Sequence, residues 1–200
     1  MIMKIKKPIF WDQKKPNIFA YILIPFSITY QIITYLRKKL SKKQKFKIKT
    51  ICVGNFYIGG TGKTSLCLKL KEILDANFKV SFIKKYNKKH LDEIMLLEKY
   101  GKVYSSKSRK NSLIQAEGDG YDIAILDDGL QDFSIDYDHT FVCFNKNNFI
   151  GNGQMIPSGP LREKISNIKY HQNIFLTGNN NNKFDFENYF RKFNEQINFY

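Results

Sequence analysis

The 200-residue chain predicts an α/β fold, a mostly parallel sheet covered by helices, and two observations carry that prediction. Short runs apolar on both faces recur along it: "TICVG" (50–54), "KVSFI" (79–83), "DIAIL" (122–126), "TFVCF" (140–144) and "NIFLT" (173–177). Strands read this way when helices bury both faces of the sheet. Stretches with helical spacing separate some of these runs, the first of them entered through a glycine-rich turn.

Residues 1–46 form a basic arm. Residues 1–50 hold twelve Lys and one Arg against Asp12 alone, so most of the net charge of +15 sits here, and an anionic partner is expected. The lysines surround an uncharged run, Pro16 to Leu36, and are not interleaved with a nucleic-acid-binding motif, so no nucleic acid is expected. The run matches the ~20 residues that a spanning helix needs. Pro25 in its middle is expected to kink or break a helix. From there Ser27, Gln31, Thr34 and Lys38 recur at helical spacing as one polar stripe. Lysines flank both ends, so charge sets no orientation. The favoured reading is an amphipathic, membrane-associated helix in or against the interface, its lysines on anionic headgroups. A spanning helix and a helix docked on the protein's own core are the alternatives. No convincing small-residue cleavage site follows, which speaks against a secretory signal.

Residues 47–178 carry the core. "TICVG" runs into "GNFYIGGTGKTSL" (54–66), and "KTSLCLKLKEIL" (63–74) puts Leu66, Leu70, Ile73 and Leu74 on one helical face. Strand, tight turn and helix start, in that order, make a phosphate-binding loop whose backbone N–H groups and helix dipole favour an anion. The strict pattern G-x-x-x-x-G-K-[ST] would have a glycine where Tyr57 stands. The expected nucleotide-binding residues are Tyr57, Ile58, Gly59, Gly60, Thr61, Gly62, Lys63 and Thr64. Lys63 would reach the β and γ phosphate oxygens, and the Thr64 hydroxyl would help hold Mg²⁺. "DIAILDDG" ends a strand in Asp127 and Asp128, and one of the two is expected on the metal as a Walker B acid. "KVYS" (102–105) and helices near 91–99 and 108–117 complete a P-loop NTPase-like core.

Residues 179–200 open with "NNNN", a loop, and continue as "FENYFRKFNEQINF", a short amphipathic helix on which Phe186, Tyr189, Phe190 and Phe193 can pack together. Cys52, Cys67 and Cys143 lack C-x-x-C spacing and read as buried, reduced thiols of a cytosolic protein. His90, His139 and His171 are too scattered for a zinc site. "NKNN" (145–148) has Asn148 where the guanine-reading N-K-x-D has its aspartate, which sets a GTPase aside.

The runs "KPIFW", "LIPFSITYQIITYLRKKL", "ICVGNFYIGGTGKTSL", "ILDDGLQ" (125–131) and "GNGQMIPSGPLRE" (151–163), in this order over roughly residues 7–178, closely resemble the lipid A 4′-kinases (tetraacyldisaccharide 4′-kinases). That family also has a non-glycine residue at the Tyr57 position. The resemblance implies transfer of the ATP γ-phosphoryl group, with Mg²⁺, to the 4′-hydroxyl of a lipid A disaccharide 1-phosphate. The place implied is the cytoplasmic face of the bacterial inner membrane, peripheral or monotopic, which suits an apolar, basic arm. It implies a general base in "HLDEIMLL", Asp92, with Glu93 organising metal or substrate. It also implies that Tyr86 of "IKKYNKK", Gln131, Arg162 and Glu163 stand at substrate or phosphate positions.

The chain departs from the family where Asp132 and Phe133 replace a His and a basic residue, and where Leu91 and Ile94 flank the paired acids in place of Gly and Pro. Family members continue into a C-terminal lobe whose histidine assists the base, so the chain reads as a short form. It is then a compact kinase, one completed by a protein partner, or a membrane-associated nucleotide-binding protein. The joint presence of Lys63, Thr64, Asp92, Asp127 and Asp128 favours the kinase, since a pure binder has no need of Asp92.

Overall fold

The structure, a computed structural model, describes residues 7–179 and 184–200. The Asn-rich loop expected at 179–182 lies, apart from Asn179, outside the described residues. Among them, seven strands form one sheet: β1 (Lys49–Gly54), β2 (Val80–Lys85), β3 (Val103–Ser106), β4 (Ile123–Asp127), β5 (His139–Asn145), β6 (Asn173–Thr177) and β7 (Asn198–Phe199). Their order is β3-β2-β4-β1-β5-β6-β7 and every pairing is parallel. The helices are α1 (Ile18–Leu40), α2 (Lys63–Leu74), α3 (Leu91–Glu98), α4 (Arg109–Gly118) and α5 (Phe186–Arg191).

The strands alternate between two dry faces, which is why they read as unbroken apolar runs. Ile51, Val53, Phe82, Ile123 and Ile125 pack with Leu66 and Cys67 of α2 and Leu97 of α3. Ile83, Ala124 and Leu126 point the other way, onto Leu113 and Ala116 of α4. A third cluster joins Val142, Phe144 and Ile174 to Leu161, Ile168 and Phe190. The three cysteines are free and buried, two in strands and one in a helix. β7 is a strand that the sequence did not announce. α5 stops at Arg191, and Asn198 N then donates to Gln172 O at 2.7 Å, adding a two-residue edge strand where helix was expected.

Pro25 does not break α1, which runs through it for 23 residues. Proline leaves one helical carbonyl without its donor, but the helix is held from outside. Ser27 Oγ donates to Met155 O at 2.8 Å and accepts from Ser158 N at 3.0 Å, and Ser158 Oγ donates to Ala20 O at 2.6 Å. The polar stripe therefore faces the protein body: Ser27 is buried, and Gln31, Thr34 and Lys38 line the groove beneath the helix. Eleven large hydrophobic side chains of α1, from Ile18 to Leu40, stay exposed; Ile28, Ile32 and Tyr35 of these line the groove, and the others, Phe19, Ile22, Phe26 and Ile33 among them, do not. The chain before α1 is seated on the same segment, with Trp11 Nε1 donating to Pro157 O at 3.0 Å and Asn152 N to Trp11 O at 2.9 Å.

Asp138 pins the entry of β1, accepting from Thr50 N (2.8 Å) and Thr50 Oγ1 (2.9 Å) and pairing with Lys45 (2.9 Å). Burial alone would raise its pKa. The Lys45 ammonium and the Thr50 donors outweigh that and hold it at about 2. An unfolded aspartate titrates near ~3.9, so the stabilisation is complete above that pH and lost as pH falls toward 2. Asp138→Asn is expected to flatten this part of the acid-unfolding profile; an unaltered profile by circular dichroism would show that Asp138 does not contribute.

Candidate active site

Because every strand is parallel, all carboxyl ends open onto one edge of the sheet, where ligand crevices form in such folds. A cleft of about 660 Å³ lies there, lined by residues 58–65, 84–87, His90, Glu93, Arg109, Asp127, Asp128 and Arg162. β1 and β4 are neighbours, which brings the glycine loop after β1 against the acids that end β4.

The loop is shaped for close approach. Gly62, the residue before α2, has φ +79°, and a Cβ there would meet Thr177 Cγ2 at 2.6 Å, so only glycine fits without strain. Gly60 faces open space. Asn55, fully buried, braces the turn by donating to Thr61 Oγ1 at 3.0 Å and to Gly59 O at 3.3 Å. No side chain caps the start of α2. Its first N–H groups, together with Lys63, form the donor set that a polyphosphate needs. ATP therefore fits the residues present.

Thr64 Oγ1 stands 3.4 Å from Asp127 Oδ2, and the buried Asp127 Oδ1 has no hydrogen-bond partner. A hydroxyl, a carboxylate and an orphaned carboxylate oxygen suit a hard divalent cation such as Mg²⁺. Among the described residues no group of three or more His, Cys, Asp and Glu forms a metal cluster, so such an ion would need further oxygens from phosphate and water.

Asp128 has φ +59°, a left-handed conformation that aspartate tolerates better than most residues. Arg109 donates to its carbonyl at 2.6 Å. Its carboxylate sits 2.8 Å from Arg162 and 3.8 Å from Lys63. Burial would raise its pKa, but the charges of Arg162 and Lys63 outweigh that and hold it below the usual carboxylate range. Arg162 also donates to Gln131 Oε1 at 3.0 Å, and Gln131 reaches Glu163 at 3.3 Å. Glu163 is buried, and its pKa is raised by that burial.

Lys63, Thr64, Asp127, Asp128, Arg162, Tyr86 and Glu93 thus share one cleft, as do Ile58, Gly59, Gly60, Thr61 and Gly62. Gln131 and Glu163 form a layer behind Arg162 and do not line it. Tyr57 does not line it either. Its ring is buried in the core, and its hydroxyl lies between Lys7, which donates to it at 2.6 Å, and Asp12. Asp92 is exposed in the first turn of α3, one residue before Glu93 and outside the cleft lining. Among the described residues Asp92 has no side-chain hydrogen bond or ion pair. Glu93 is engaged by Lys84 and by His90 at 3.1 Å. Burial would raise its pKa, but Lys84 brings it below the ordinary value.

Sequence reasoning missed Lys84, Arg109 and Asn55. Lys84 did lie inside the quoted "IKKYNKK", two residues before Tyr86, but only the β2–β4 register sets it against Asp127; Arg109 belongs to no quoted motif and is brought in by the packing of α4. Asn55 did lie inside the quoted run, one residue past β1, where a short amide can brace a turn.

The family model described as tetraacyldisaccharide-1-P 4′-kinase matches residues 19–198. A tetraacyldisaccharide 4′-kinase of Pelagibacter ubique is 51% identical over 197 residues, covering 98% of this chain and 62% of that protein. One from Rickettsia canadensis is 36% identical over 201 residues, covering 91% and 61%. The crystal structure of LpxK from Aquifex aeolicus in complex with ATP shares the fold, with a TM-score of 0.72 at 24% identity, over 84% of this chain and 62% of that one. The chain thus spans less than two thirds of the length of these relatives.

Proposed function

We propose, since the chain belongs to the tetraacyldisaccharide-1-P 4′-kinase family, that it takes part in ATP-dependent phosphorylation of the 4′-hydroxyl of a lipid A disaccharide 1-phosphate. The observation that carries this reading is the convergence of Lys63, Thr64, Asp127, Asp128 and Arg162 in one cleft at the carboxyl edge of the sheet. Phosphoryl transfer asks mainly for positioning and charge neutralisation. The uncapped start of α2 and Lys63 hold the donor phosphates. Thr64 with Asp127 or Asp128 holds Mg²⁺, which supplies positive charge against the phosphate oxygens. Arg162, kept in place by Asp128 and Gln131, adds a further cation to the cleft, on the same Asp128 oxygen that Lys63 approaches. Asp92, outside the cleft lining but adjacent to Glu93 within it, takes the proton of the acceptor hydroxyl, the role that the family resemblance implies for it. It is the acid of the pair that no cation occupies, whereas Glu93 is tied to Lys84. Tyr86, 41% exposed at the rim, is placed to touch sugar or nucleotide. A second cavity of about 420 Å³, in which Arg37, Lys85, Arg109 and Arg162 outnumber Asp128 and Asp132, adjoins the cleft and offers room for an anionic acceptor headgroup.

The acceptor is amphiphilic, and α1 gives the chain a matching surface. By length and composition α1 is apolar enough to cross a membrane, but its polar stripe is committed to the protein body. That favours a helix lying in the interface of the bacterial inner membrane, on its cytoplasmic face. Burying one Ile- or Phe-sized side chain is worth ~1.5–3 kcal/mol, against roughly 1 kcal/mol per basic residue near an anionic surface, so apolar insertion dominates. Replacing Ile22, Phe26 and Ile33 together by aspartate is expected to abolish co-sedimentation with anionic liposomes and leave ATP binding intact. Undiminished sedimentation would remove α1 as the anchor.

The direct test is transfer from γ-labelled ATP to the disaccharide 1-phosphate in detergent micelles with Mg²⁺. Labelled lipid is expected. Its absence, with ATP bound, would restrict this chain to nucleotide binding.

A further inference from the structure

At the floor of the cleft lies a buried chain of charges. Lys84 and Asp127 are register partners on adjacent parallel strands, so both side chains leave the sheet on the same face. Lys84 is 4% exposed and Asp127 fully buried. The Lys84 ammonium donates to Asp127 Oδ2 and to Glu93 Oε2. The same Asp127 oxygen is the one that Thr64 Oγ1 approaches at 3.4 Å. A divalent cation held by Thr64 and Asp127 would meet a carboxylate already paired with a full positive charge, the Lys84 ammonium.

We propose that Lys84 is the resident counter-ion of the metal-binding acid: its ammonium and a divalent metal compete for the Asp127 carboxylate, and Glu93 is the group on which the ammonium stays when the metal arrives. This rests on the reading of the cleft as a metal–nucleotide site. A buried carboxylate without a counter-charge is costly, and Lys84 removes that cost before any ligand binds. Its four-carbon stem lets the ammonium swing between two carboxylates without backbone movement. Glu93, with a side chain 39% exposed, can hold it with help from water, as Asp127 cannot. One side chain therefore ties the metal position to the first turn of α3, which also carries Asp92. Lys84 is in this sense a positioning residue.

The test counts free Mn²⁺ by electron paramagnetic resonance, in the presence of AMP-PNP, for the wild-type chain and for Lys84→Met, Lys84→Gln and Lys84→Arg. Removing the competing charge is expected to tighten Mn²⁺ binding by about tenfold or more in the Met and Gln variants. The Gln variant keeps amide donors for both carboxylates if the Met variant does not fold. Lys84→Arg, which keeps the charge and folds with it, is expected to stay close to wild type. Unchanged or weaker Mn²⁺ binding in a folded Lys84→Gln, or equal tightening in Lys84→Arg, would overturn the proposal; a purely structural lysine would give the first of these. Failure of the wild-type chain to bind AMP-PNP in calorimetry would be a separate result, removing the nucleotide reading itself.

Discussion

Lys63→Ala is expected to abolish the rise in melting temperature that ATP gives the wild-type chain, and to lower phosphoryl transfer by about 10³-fold or more. The Lys63 ammonium is the cation of the glycine loop, 16% exposed and 3.8 Å from Asp128. At a ligand concentration of ~100 Kd, binding stabilises a folded chain by about 2.7 kcal/mol, and that increment should disappear. Fold stability without nucleotide should change little. Lys63 is a helix-start residue whose loss leaves Asp128 still paired with Arg162 at 2.8 Å. Calorimetry with ATP and Mg²⁺ reads the effect directly. Equal affinity in mutant and wild type would sink the phosphate-loop assignment, and with it the proposed reaction.

Asp92→Asn is expected to cut turnover by roughly 10²–10⁴-fold, the usual worth of a positioned general base, while ATP affinity stays near wild type. The second half of that expectation follows from geometry, since Asp92 lies outside the lining of the cleft. The carboxamide keeps the shape of the side chain but cannot take a proton. Loss of the carboxylate at the start of α3 costs only about 0.3–1 kcal/mol of helix-dipole interaction, too little to unfold the domain. Glu93→Gln is the control. If turnover survives Asp92→Asn, the proton does not go to Asp92; a loss with Glu93→Gln alone would then point to Glu93, as base or through its Lys84 contact.

What was legible in the sequence was local. β1, the glycine loop and α2 are consecutive, so strand pattern, turn chemistry and helical spacing could be read together between residues 50 and 74, and Asp127 stood at the end of its own apolar run. The positions of β2 to β6 followed from the same pattern of runs apolar on both faces. α1 shows where such reading stops. Its periodicity located the polar stripe, but a stripe does not say whether it meets water or protein. Ser158, 131 residues after Ser27, decides that by donating its N–H to the Ser27 hydroxyl. The same contacts carry the helix through Pro25, which local propensity alone would have ended.

Residue type and spacing by themselves determined that this chain builds a parallel α/β core around a phosphate-binding loop, with the resemblance of its motifs supplying the family. Only the tertiary structure decided that Lys84 faces Asp127 and Glu93, that Tyr57 serves the packing of the arm, that Asp92 stands outside the cleft, and that α1 turns its apolar side outward. The physical reason is one of range. Strand, turn and helix preferences act over a few neighbouring residues, whereas these four placements depend on pairings between segments far apart in the chain, whose partners a single sequence does not mark.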